Sequence, residues 1–182
     1  EVTSTVQTIL TGLGFTEITV NAMPRVLVLT SGHEVIEPGE SLTPGKIYNS
    51  NRAMICGLLE DLGFHKITHY HVSDAPEELE SEINHVLQLS EDADIIISSG
   101  GVSVGLFDTM PLIYEKLGAQ SIYARIQMRP GAASYGAVTP KGQIIFGLSG
   151  NPGAAFNGWH LIVAPTLKRY KGLKNWTTPV VA

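Results

Sequence analysis

The chain has 182 residues, 43% of them hydrophobic and 16% charged, which is enough for one well-buried core and short for two full domains. That composition excludes a disordered chain, and a net charge of −5 excludes a nucleic-acid grip built on clustered Lys and Arg, while leaving room for a small anionic ligand. The single cysteine, Cys56, excludes an internal disulfide, and no apolar run reaches the ~18 residues of a membrane helix, so no membrane partner and a cytoplasmic location are expected.

In chain order, the opening EVTSTVQTIL has no basic signal-peptide region and does not begin with Met, so the sequence reads as a piece of a longer protein. Thr3–Leu13 predicts a short helix stopped by Gly14, and Phe15–Val20 a strand; Pro24 then sets residues 1–24 apart as the end of a preceding domain or a linker. Three short runs rich in Val and Ile, each followed by glycine, predict buried strands at Arg25–Thr30, Asp94–Ser98 and Gln143–Gly147. Lys66–Val72 and Ser121–Gln127 predict two weaker ones. Helices fit between them: one to about Leu62 capped by Ser50 or Asn49, then Pro76–Leu89, Asp108–Leu117, and Pro152–Tyr170 capped by Asn151. The alternation predicts an α/β domain of doubly wound type over residues 25–172, with 173–182 as a C-terminal extension.

Ligands of open α/β sheets bind beyond the carboxyl ends of the strands, where the glycine clusters fall. In the turn Ser99–Gly105, the glycines Gly100, Gly101 and Gly105 admit positive φ and close backbone approach to a ligand. Gly147–Gly153 leads through Ser149, Gly150, Asn151 and Pro152 into a helix whose first N–H groups lack internal partners, a site suited to an anion. Neither GxGxxG with a following acid nor GxxxxGK[ST] is present, which removes the usual dinucleotide and P-loop readings. Asp108 is either a helix cap or a carboxylate for a divalent cation bridging phosphates. Arg129 offers a bidentate phosphate contact, Ser99, Ser103 and Ser149 offer hydroxyls, and Glu34 is a second candidate carboxylate beside His33. His65, His69 and His71 lack a fourth ligand at suitable spacing and are expected to be structural or exposed, and Cys56 to be a small core residue.

SSGGVSVGLFD at 98–108, MRPG at 128–131, LSGNP at 148–152, PGESLTPGKIYNSNR at 38–52 and LTSGHEV at 29–35 together resemble the molybdopterin-binding domain of MoeA. That family, the molybdopterin molybdenumtransferases, includes the gephyrin E-domain, and the resemblance covers about Gly12 to Gly172. It implies a three-layer α/β/α domain that binds adenylylated molybdopterin, inserts molybdate and releases AMP with Mg2+, as part of a longer, homodimeric or oligomeric protein. By position, Ser99, Gly100, Gly101, Ser103 and Gly105 would meet phosphate, Ser149, Gly150, Asn151 and Pro152 would line the second turn, and Arg129 would hold anionic groups. Asp108 would be the catalytic and metal-binding carboxylate, with Glu34 as the acidic end of the family's TGDE. The chain departs from the family at His33, Asn49 and Leu106, where acids are usual, and at Ala132, where a lysine is usual. Lost carboxylates weaken a divalent-cation site, so a second expectation is a non-catalytic paralogue that only binds or senses the pterin. A scaffold role through partner-peptide binding, as in the gephyrin E-domain, is the weakest alternative.

Overall fold

A computed structural model describes residues 2–101, 109–174, 176 and 177. A six-stranded sheet forms its centre, from β1 (Val26–Ser31), β4 (Ile67–Val72), β5 (Ile95–Ser99), β6 (Gln120–Ala124), β7 (Tyr135–Val138) and β8 (Ile144–Leu148). Their order is β4-β1-β5-β8-β7-β6; the first four run parallel and β7 runs antiparallel to both neighbours. A separate parallel pair, β2 (Val35–Ile36) and β3 (Ile47–Tyr48), forms a small flap after β1.

Strand alternation sorts the apolar side chains onto two faces. Val26, Val28, Ile95, Ile97, Phe146 and Leu148 pack against α2 (Ser50–Asp61) and the C-terminal helical run. Leu27, Leu29, Ile96 and Ile145 point the other way, against α3 (Leu79–Ser90) and α4 (Thr109–Lys116). The result is the three-layer α/β/α architecture expected from the sequence. The continuous apolar runs of β1 and β5 are required because both faces of these strands are covered.

Several boundaries moved, each for a local reason. α1 (Ser4–Gly12) forms as expected, with Thr3 accepting the Val6 N–H, and it buries none of its residues. Phe15–Val20 is not a strand; it has no ladder partner among the described residues, and Phe15, Ile18 and Val20 are exposed. α3 begins at Leu79 because Pro76, Glu77 and Glu78 form a turn ahead of it. The strand expected over Ser121–Gln127 ends at Ala124, where Arg125 takes φ +73°. β7 was not anticipated. The last helix is three pieces: α5 (Pro152–Gly158), a π-helical turn over Trp159–Val163, and α6 (Ala164–Tyr170). Pro165 lacks the N–H that would continue the ladder, and the wider turn before it takes up the mismatch. Among the described residues no helix is long and apolar enough to cross a membrane.

Candidate functional site

The sheet order decides where a ligand can sit. From β1 the chain crosses to β4 on one side, then returns past β1 to β5 on the other, so consecutive connections leave in opposite directions. The carboxyl ends of β1 and β5 therefore flank a crevice, the usual ligand position in open α/β sheets. A cleft of about 340 Å³ occupies it. Its floor is Thr30–Gly32 at the end of β1 and Ser99–Gly101 at the end of β5; its walls are the β3–α2 junction, the flap residues His33–Val35, and the Ser149–Gly150 turn after β8.

Glycine is needed at the floor. Gly100 has φ +89°, and a Cβ there would collide with the carbonyl oxygen of Ser31. Gly101, at φ +60°, would press a Cβ to 2.8 Å from Ser31 Oγ and 3.1 Å from Met110 Cγ. Opposite them, Gly150 lies so close that its Cβ would touch Gly100 Cα at 3.4 Å. The two glycine turns are thus packed back to back, and their bare backbones face the cleft.

Side-chain amides tie the walls together. Asn49 caps α2 by accepting the Arg52 N–H at 3.1 Å, and its amino group donates to Thr30 Oγ1 at 2.9 Å and Glu37 Oε1 at 2.7 Å. Arg52 closes the same group by pairing with Glu37. A carboxylate at position 49 could not make those two donations and would face Glu37, so the amide is suited to its surroundings here. Thr30 Oγ1 also meets His69 Nε2 at 3.0 Å and His71 Nδ1 at 3.1 Å, which gives both β4 histidines a structural partner. Burial is the main cause that lowers His69 to about 4, with Arg52 adding repulsion.

Of the residues selected from sequence, Glu34, Ser99, Gly100, Gly101, Ser149, Gly150 and Pro152 all line the cleft. Glu34 lies 3.5 Å from the exposed His33 ring, while Lys46 donates to the His33 carbonyl and holds the flap. Ser99 is buried, and its hydroxyl donates to the Ser149 carbonyl at 3.0 Å. Asn151 caps α5, accepting the Ala154 N–H at 3.1 Å, and does not itself line the cleft. Arg129 is exposed, outside the lining, and precedes a cis peptide bond to Pro130. Ser103, Gly105 and Asp108, with Leu106, lie outside the described residues. Among the described residues no group of three or more His, Cys, Asp or Glu could hold a metal ion by itself.

Two lining residues were overlooked in the sequence. Asp74 follows β4 by two positions and receives a hydrogen bond from Thr109 at 3.3 Å. The rule that selected the glycine turns, position just beyond a parallel strand, selects Asp74 as well. Asn51, in the first turn of α2, carried no such signal. The lining therefore offers two carboxylates, Glu34 and Asp74, with amides, hydroxyls and bare backbone, and among the described residues no Lys or Arg.

Fold and cleft together define an α/β domain with a polar cleft at the carboxyl edge of its parallel strands. The family described as a probable molybdopterin binding domain matches residues 27–169, and the chain belongs to that family. It is 36% identical over 177 residues to the molybdopterin molybdenumtransferase of Staphylococcus epidermidis, a match covering 95% of this chain and 40% of that protein. To the Staphylococcus aureus protein of the same name it is 39% identical over 164 residues, or 90% of this chain and 38% of the other. The crystal structure of the molybdopterin biosynthesis MoeA protein from Pyrococcus horikoshii superposes with a TM-score of 0.72 at 28% identity, covering 92% of this chain and 40% of that one. MogA shares the fold, with a TM-score of 0.56 at 20% identity, over 84% of this chain and all of MogA. The chain spans about 40% of the length of the curated relatives it matches.

Proposed function

We propose that residues 25–172 form the molybdopterin-binding domain of a molybdopterin molybdenumtransferase acting in molybdenum cofactor biosynthesis. The observation that carries this reading is the cleft floor, where glycine turns after β1, β5 and β8 meet in a chain of the molybdopterin-binding family. Apart from those of Gly100 and Asn151, which donate to the Leu148 carbonyl and Ser149 Oγ, the backbone N–H groups of the two turns are suited to phosphate oxygens, since glycine lets an anion reach them. In the reaction proposed, adenylylated molybdopterin gives up its adenylyl group as AMP: one phosphoanhydride P–O bond breaks and water supplies the new oxygen, while the two dithiolene sulfurs bond to molybdenum and one molybdate oxygen leaves with the two thiol protons as water. Glu34 and Asp108 are the carboxylates assigned to that chemistry, and Arg129 to steadying anionic groups. A homodimer or larger oligomer of the whole protein belongs to the same proposal.

Mg2+ fits the donor set in one respect: such ions are held by one or two carboxylates plus substrate phosphates and water. Glu34 and Asp74 supply carboxylates at the cleft, and Asp108 is the assigned metal ligand. When bound, the ion neutralises charge on the phosphates. The test is AMP release by the full-length protein with adenylylated molybdopterin, molybdate and Mg2+. Asp108→Ala and Glu34→Ala should each slow it by about 100-fold or more, the range seen when a charged catalytic group is removed; equal rates in wild type and Asp108→Ala would sink the assignment. The alternative, a binder without catalysis, is favoured by Asn49, whose amide is fully engaged in holding the wall. Tight molybdopterin binding with no AMP release from the unaltered protein would establish it.

A further inference from the structure

Asn51 is the second residue of α2, yet its side chain reaches both glycine turns. Its amino group donates to Ser99 Oγ at 2.8 Å and to the Gly150 carbonyl at 2.8 Å, partners 48 and 99 residues away in sequence. The orientation of the amide follows from proton counting. A carbonyl only accepts, so the amino end must face Gly150. Ser99 spends its one proton on the Ser149 carbonyl, so it can only accept from Asn51. Asn51 Oδ1 is then left with no hydrogen-bond partner among the described residues, although the side chain is nine-tenths buried.

That arrangement costs stability, because a buried acceptor without a partner has lost its water and gained nothing. An amide kept only for packing would have both ends paired, or would be replaced by an apolar group of the same shape. What the amide achieves is a three-way join: α2, the end of β5 and the turn after β8 meet at one nitrogen. The two turns are also linked directly, by Ser99 Oγ donating to the Ser149 carbonyl at 3.0 Å and by the Gly100 N–H donating to the Leu148 carbonyl at 3.2 Å.

We propose that Asn51 is a positioning residue that sets the spacing of the two glycine turns, and thereby the affinity of the cleft for the phosphate-bearing pterin. This rests on the function proposed above. The experiment is a molybdopterin titration of the full-length protein, run well below Tm, for wild type, Asn51→Ala, Ser99→Ala and the double variant. Each single variant should weaken binding by about tenfold or more, and the double by clearly less than the product of the two, because the Asn51–Ser99 link is shared while the Asn51–Gly150 and Ser99–Ser149 links are lost separately. A merely structural Asn51 would lower Tm and leave the affinity of the folded protein unchanged; that result, or losses that multiply in the double variant, overturns the proposal. If Asn51→Ala fails to fold, Asn51→Ser, whose hydroxyl is too short to span both partners, carries the same expectation. Hydrogen exchange at the Gly100 and Gly150 amides provides a readout independent of ligand, and Asn51→Ala should speed both. Wild-type protein that binds no molybdopterin while exchange at both glycines still accelerates would refute the functional reading and leave the positioning role standing; unchanged exchange would refute the positioning role.

Discussion

Thr30 presents one hydroxyl to three nitrogens: Asn49 Nδ2, His69 Nε2 and His71 Nδ1. The amide can only donate, and the hydroxyl has one proton to give, so one imidazole must accept it and the other must donate. The cluster therefore depends on neutral imidazole. Burial above all, with repulsion from Arg52 and a partial offset from Glu37, lowers His69 to about 4. An unfolded chain would take up the proton nearer the ordinary 6.5, so the neutral ring's contribution is whole above pH 6.5 and is lost progressively down to about 4. Urea unfolding across that window should show wild type losing on the order of 1–2 kcal/mol more than His69→Gln, below the full linkage value because solvent screens a half-exposed ring. Parallel curves for the two proteins would show that His69 carries no such linkage. The same residues show what sequence reading catches. A structural role for His69 and His71 was legible because their ligand set was incomplete; their shared partner was not, since nothing in the sequence places Thr30 opposite both of them.

At the scale of elements, the parallel strands were legible, while of the antiparallel pair β6 was expected with a longer C-terminal end and β7 was not expected at all. β1, β5 and β8 are covered on both faces, and full burial leaves an unbroken apolar run that announces itself. β7 reads Tyr-Gly-Ala-Val, with a glycine in the middle and no alternation, and β6 is an edge strand that is mostly exposed. Their pairing rests on a contact between them: a Cβ on Gly136 would run into the ring of Tyr123, which lies across the glycine. Burial there raises the Tyr123 phenol to about 12. Gly136→Ala should push the ring toward solvent, bringing the phenol back toward 10 in an absorbance titration. It should also lower Tm by about 2–8 °C, as the ~1–2 kcal/mol of an overpacked contact does in a domain of this size. An unmoved titration would mean that the sheet yields and the ring stays. Asp74 belongs to this scale too, since its position past β4 was readable from the strand and was passed over. Asn51 was not, because its role depends on two turns that only the folded sheet brings within one amide's reach.

Across the whole molecule, the cleft poses an electrostatic problem that its sequence does not. Glycine turns and a helix start suggest a phosphate site, yet the described lining carries Glu34 and Asp74 and neither Lys nor Arg. Backbone N–H groups are fixed donors that do not screen a carboxylate a few ångströms from a phosphate, where like charges repel by about 4 kcal/mol at 4 Å for an effective dielectric near 20. A divalent cation reverses the sign of that interaction, since carboxylate and phosphate then share it as ligands. Ligand affinity should therefore depend on Mg2+, and because a ligand stabilises the state it binds, the dependence should be visible in global stability. With molybdopterin near 100 times its Kd and Mg2+ present, the full-length protein should gain about 2.7 kcal/mol, or roughly 5–10 °C in Tm, if the matched domain unfolds as one unit. Chelating the cation should remove most of that gain, while Mg2+ without molybdopterin should give little, because among the described residues no three acidic, His or Cys side chains converge to hold it alone. A Tm shift that survives chelation would instead assign phosphate recognition to the backbone turns and to residues such as Arg129, leaving the two carboxylates to contact donor groups on the pterin.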